Sequence, residues 1–153
     1  MAMRKPRAGS LLRISLGDGI YAFARVLPNF QVAIYAYQSQ KVDIPTSDVF
    51  DAQILWKLTV MKSALTSGRW PAVDYRLLEP ELAAPVDYFM KDCFTGQFSV
   101  YRSSDGYIRA STFEECKMLE VAAVWEAEHV EDRLRDYFAG RTNPCAERLR
   151  AVP

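Results

Sequence analysis

Histidine occurs once in this chain, at His129, and cysteine three times, at Cys93, Cys116 and Cys145. One imidazole and three widely separated thiols give no pair at metal-ligand spacing, so no metal site is expected. An odd, scattered set of cysteines is no disulfide scaffold either, and reads as the reduced thiols of a cytoplasmic protein. Long apolar runs are missing. Leu11-Leu12 follows a basic start, but Arg13 interrupts at once, which excludes a transmembrane helix and argues against a signal peptide. Net charge is missing as well: lysine plus arginine and aspartate plus glutamate are each 19, so no global field points to nucleic acid. Catalytic motifs are absent too. There is no Gly-x-Ser-x-Gly, and Gly17-Asp18-Gly19 joins two strands rather than a strand and a helix, which fits a hairpin and not a phosphate loop. Catalytic, cofactor-binding and metal-binding residues are all expected to be none, and the chain is not read as an enzyme.

What is present is a 153-residue chain, half apolar, which suits one soluble domain, with residues 1–9 and 141–153 as loosely attached tails. From Leu11 the hydrophobic period is two. Leu12, Ile14 and Leu16 lead into the Gly-Asp-Gly turn, Ile20–Leu27 returns, and Gln31–Tyr37 follows after Pro28-Asn29: a meander of three antiparallel strands. Both faces of its middle strand are apolar or aromatic, so the sheet is covered on both sides or curled into a small barrel. Ile54–Met61 alternates again, and Trp70–Leu78 forms a short edge strand despite Pro71. Tyr88–Phe94, Phe98–Arg102 and Tyr107–Ala110 form a second meander. Strands in two runs followed by a helix predict an α+β domain: a strongly bent antiparallel sheet of about seven or eight strands under one long C-terminal helix.

That helix is expected over Thr112 to Gly140, with Thr112 as N-cap, Glu115 closing a capping box and Gly140 ending it. Cys116, Leu119, Ala123, Ala127, Val130, Leu134 and Tyr137 fall in one narrow sector, the core face. Met118, Val121, Ala122, Trp125 and His129 form a second stripe among Glu114, Asp132 and Asp136. Either the helix is wedged between layers, or the second stripe awaits another molecule. Charge is also unevenly spread. Residues 1–41 carry six bases against Asp18, while 111–139 carry eight acids against Lys117, Arg133 and Arg135. The two could pair inside the fold or each meet a partner.

A few residues stand out within this frame. His129, four residues after Trp125, packs on the indole or titrates at an interface. Arg69-Trp70, after the turn Ser67-Gly68, either caps the core or forms a binding hot spot. Arg25 lies between Ala24 and Val26 on the central strand, where its guanidinium stacks on an aromatic ring or answers a helix acid.

The hairpin Leu16-Gly17-Asp18-Gly19-Ile20-Tyr21-Ala22-Phe23-Ala24-Arg25-Val26-Leu27 resembles the opening motif of the immunity protein 26 family of bacterial polymorphic-toxin systems. Ser67-Gly68-Arg69-Trp70 is similar to a later motif of that family, and Leu119 to Trp125 followed by His129 to Leu134 carries the strongest likeness. Gly9-Ser10 stands where a Gly-Asp start is expected. The resemblance implies a cytoplasmic protein that binds and neutralises a cognate toxin domain. An acidic, aromatic surface would suit a basic target, with Trp125, His129, Glu128, Asp132, Asp136, Arg69 and Trp70 as the candidate partner-binding residues. The alternative is a small-barrel nucleic-acid or peptide binder using the basic first 41 residues, a reading that the zero net charge disfavours.

Overall fold

The computed structural model describes residues 5–153. Its strands form two sheets. The larger contains β1 (Ser10–Gly17), β2 (Ile20–Leu27), β3 (Gln31–Ser39), β4 (Ile54–Val60), β5 (Ala72–Tyr75) and β9 (Val124–Trp125), in the order β5-β1-β2-β3-β4-β9. The smaller is the meander β6 (Asp87–Lys91), β7 (Phe98–Arg102) and β8 (Ile108–Ser111). Helices α1 (Thr46–Phe50), α2 (Lys62–Thr66), α3 (Pro80–Ala83), α4 (Phe113–Cys116), α5 (Ala127–Phe138) and α6 (Pro144–Leu149) fill the connections and the C-terminal region. The class is α+β, as expected. The single bent sheet is in fact two, and the larger does not close into a barrel. Its order runs from β5 to β9, which do not pair with each other, and β9 pairs parallel to β4, so the sheet is mixed.

Period-two patterning places the core. Leu12, Ile14, Ala22, Ala24, Val26, Val32, Ile34, Leu58 and Val60 share one face of the large sheet and pack under Val130 and Leu134 of α5. The opposite face holds Leu11, Phe23 and Tyr35, covered by Val49 of α1 and its flanks. The middle strand is therefore buried on both sides, which explains why its sequence shows no polar face. Arg25 is the exception, and it is fully buried. Its Nε donates to the Gly9 carbonyl at 3.0 Å, Nη1 to the Tyr35 hydroxyl at 3.0 Å, and Nη2 to the Arg76 carbonyl at 2.6 Å. Glu79 answers its charge at 3.3 Å, and the guanidinium stacks over Phe50 at 4.8 Å. The expected aromatic is there; the acid, Glu79, comes from the N-cap of α3 and not from the terminal helix. Gly9 is required beside it. With φ at +99°, an added Cβ would lie 2.6 Å from the Arg76 carbonyl oxygen.

The helix expected over 112–140 divides into three parts. Thr112 does cap, accepting from the Glu115 amide at 3.3 Å, but α4 ends at Cys116. Residues 120–122 then run along the edge of β6, where the Phe89 amide donates to Glu120 and the Ala122 amide to Phe89. Val124 and Trp125 extend as β9 beside β4, and α5 begins only at Ala127. Two strand edges offered unpaired backbone groups, and satisfying them outweighed a helix with apolar residues on opposite sides. The second stripe dissolves accordingly: Trp125 points into the core while Val124 is exposed, the alternation of a strand. The C-terminal residues, expected as a loose tail, are fastened. Cys145 and Ala146 pack on the main core, Ala151 is buried against the small sheet, and Lys91 Nζ donates to the Val152 carbonyl at 3.0 Å.

Candidate interaction surface on the terminal helix

The twelve residues of α5 bury Val130 and Leu134 in the core, with Ala127 and Phe138 partly buried against it, an i, i+3, i+7, i+11 stripe. Tyr137, expected on that face, is 46% exposed and instead meets Trp56 edge-on at 5.7 Å. Two charged residues are buried as well, and they fix the helix.

Glu131 is 4% exposed. Its carboxylate accepts two hydrogen bonds from Arg69, from Nε at 2.8 Å and Nη2 at 2.7 Å, and a third from the Trp70 indole at 2.9 Å. Burial pushes this carboxyl up, but the hydrogen bonds from Arg69 and Trp70 and the charges of Arg69 and Arg135 outweigh it, and it is held below its ordinary value. Arg69 is shifted upward by the same pairing. The Ser-Gly-Arg-Trp turn is thus a clamp on α5. On the flank of the same helix, Arg133 lies between two tryptophans, 4.0 Å from the Trp56 ring and 5.1 Å from that of Trp125, with Nη1 bonded to Glu120 at 2.5 Å.

The candidate residues therefore fall into two groups. Trp125 and Trp70 are 5% and 1% exposed, so neither indole is offered to solvent. Glu128, His129 and Asp132 are exposed on the outer side of α5. Arg69 stands beside them with its side chain 44% exposed, 3.7 Å from Glu128. Asp136 is held by Asn143 at 2.9 Å and Arg141 at 3.1 Å, and these bonds lower its pKa. His129, Asp132 and Asp136 line a shallow cleft of about 360 Å³ that continues to Arg141 and Cys145. The Trp125 indole is covered by Arg133. Among the described residues, no ion pair joins a base of the first 41 residues to an acid of 111–139. Arg69 and Arg133 answer the buried Glu131 and the half-buried Glu120, and Arg141 answers Asp136; Asp132 pairs with Arg135 at 2.7 Å and Glu128 approaches Arg69 at 3.7 Å, but both stay exposed, and with Glu126 they form the accessible acidic ground.

Glu131 and Glu120 escaped the sequence reading. The signal for Glu131 was an acid at the border of the Val130–Leu134 stripe, with Arg-Trp elsewhere in the chain lacking an obvious partner. Chemically the surface offers charge and shape. Among the described residues, no group of three or more His, Cys, Asp or Glu is disposed to hold a metal. No described helix is long and apolar enough to cross a membrane.

Neither a curated protein nor a solved structure matches the chain. A family model, Immunity protein 26, matches residues 7–99. The matched span runs from just before β1 into β7 and includes both the Gly-Asp-Gly hairpin and Ser67-Gly68-Arg69-Trp70, whereas 119–134 lies beyond it. With more than half of its length matched, the chain belongs to the immunity protein 26 family.

Proposed function

We propose that this protein neutralises a cognate toxin domain by stoichiometric binding, without turnover, and that the outer flank of α5 takes part in the contact. Family membership carries this reading. The flank supports it through its chemistry. Glu126, Glu128, His129 and Asp132 are exposed side by side on a helix whose buried side is clamped by Glu131, so the charges are presented on a rigid element. Such a surface attracts a basic target and speeds encounter through complementary potential. Trp125 and Trp70 act from beneath, as supports of the helix rather than as contacts. The barrel-like nucleic-acid reading loses ground on two counts: the sheet is open, and Arg25 is spent inside while Arg7 and Arg13 stack on Tyr75 and Tyr21.

The test is co-expression with a candidate toxin domain, sought first as the variable C-terminal domain of a large secreted protein encoded by an adjacent gene. Wild-type protein should protect cells and co-purify in equal amounts with that domain. The double charge reversal Glu128→Lys, Asp132→Lys should weaken the complex at least tenfold, about 1.4 kcal/mol, while the loss of the exposed pairs to Arg69 and Arg135 lowers stability by only about 1 kcal/mol and the fold is kept. Failure of wild type to bind or protect would refute the function. Full protection by the reversal variant would refute only this surface.

A further inference from the structure

Two open sheets have four edges, and three of these are guarded. β6 is covered by residues 120–122, which pair with Phe89. β9 is two residues long. β5 follows Pro71, and the Tyr75 amide is already taken by the Asp74 carboxylate at 2.7 Å. β8 is different. It carries neither lysine nor proline, and Ile108, Arg109 and Ala110 are all exposed. Its pairing with β7 fixes which backbone groups are free. The Arg102 amide donates to Tyr107, so Val100 with Arg109 and Phe98 with Ser111 are the hydrogen-bonded pairs that follow. The amides and carbonyls of Ile108 and Ala110 therefore point away from β7. Among the described residues nothing pairs with them.

We infer that β8 is a strand-addition site for a second copy of this chain, joined antiparallel about a two-fold axis through Arg109. That register brings Ile108 opposite Ala110 of the other copy, and uses every free backbone group of both strands in four hydrogen bonds. It fits a copy better than a charged stranger, because the edge is charge-balanced within itself. Arg109 is paired with Glu115, to which Ser111 also donates at 2.6 Å. Two facing arginines would ordinarily repel, but here each brings its own carboxylate to the axis, and the pairs can exchange across it. Ile108 and Ala110 lie on the same side of the sheet as Tyr88, Met90, Ser99 and Tyr101, so joining the edges makes one six-stranded sheet whose face on that side is apolar or aromatic except at Ser99. The site is independent of the toxin-binding reading, since none of its residues lies on α5.

The full chain, measured by sedimentation over a concentration series reaching the millimolar range, should double in mass. Ala110→Pro removes one outward amide and none used by β7, the one place in a sheet where proline is tolerated. It should return the protein to monomer with its melting curve unchanged. Register is read by oxidation in a Cys93→Ser, Cys145→Ser background. Arg109→Cys should cross-link to its own copy, because a non-hydrogen-bonded pair at the axis stands about 4.5 Å apart between Cα atoms, within disulfide reach. Ser104→Cys in the preceding turn should not. A wild type that stays monomeric throughout, a dimer that survives Ala110→Pro, or equal cross-linking at both positions would each overturn the inference.

Discussion

Replacing Glu131 by alanine should destabilise the protein by about 3 kcal/mol. The magnitude follows from its three hydrogen bonds. The Trp70 indole is 1% exposed and would lose its acceptor at 2.9 Å; a buried donor left unsatisfied costs ~1–3 kcal/mol. Arg69 would lose both of its bonds, but its side chain is 44% exposed, so water replaces much of the interaction and only about 1 kcal/mol is added. For a chain of this length the sum corresponds to a fall in Tm of roughly 6–12 °C. Glutamine keeps one acceptor and should cost about half as much. The pH dependence separates this account from simple loss of packing. The folded-state pKa of Glu131 lies below its ordinary 4.5, so its contribution is complete above pH 4.5 and is lost as pH falls through the folded value. The gap between wild type and Glu131→Gln should therefore be widest near neutrality and close in acid. Urea denaturation at a series of pH values measures both. A Glu131→Ala variant within about 0.5 kcal/mol of wild type, or a gap that stays constant down to acid pH, would refute the reasoning.

Two further perturbations probe the surroundings of the buried Arg25. Arg25→Lys should cost about 3 kcal/mol in the same denaturation assay. One ammonium cannot reach the Gly9 and Arg76 carbonyls, the Tyr35 hydroxyl and Glu79 together, and a charge would remain where water is excluded. Gly9→Ala should cost a similar amount, about 2–4 kcal/mol, from left-handed backbone strain and the collision with the Arg76 carbonyl. A Gly9→Ala protein as stable as wild type would show that the loop carrying Arg76 yields freely.

The strands were legible because their period is short and local. β1 to β4 and the small meander lie within a few residues of where alternation places them, and the turn Gly17-Asp18-Gly19 has the positive φ values its composition demands. Thr112 was legible as a cap for the same local reason. The course of 117–126 was not, because what extends it is the unpaired edges of β6 and β4, elements distant in sequence. The candidate site shows the same division. Glu128, His129 and Asp132 do lie exposed together on α5, whereas the positions of Trp125 and Trp70 depended on which side of which element faced the core. A tryptophan's composition says it is a good anchor; only topology says whether it anchors a partner or the fold.

Arg25 and Glu131 do related work on opposite faces of the large sheet. Arg25 ties the 76–79 segment and the start of β1 to the middle strand, and Glu131 ties the turn before β5 to α5. Neither touches the exposed acids, yet Glu131 sits one residue from Asp132 and is reached by the same Arg69 that approaches Glu128. On the proposed reading, the acidic flank binds well because α5 cannot roll or slide, so little ordering is left to be done on contact. The two kinds of change should then part kinetically. Reversing Glu128 and Asp132 alters the field that steers encounter and should lower the association rate, most strongly at low salt. Loosening Glu131 leaves the exposed charges in place and removes their fixed presentation, so it should act on the dissociation rate and respond little to salt. If both variants slowed association alike, α5 would be acting only as a source of charge, and its rigidity would have no part in recognition.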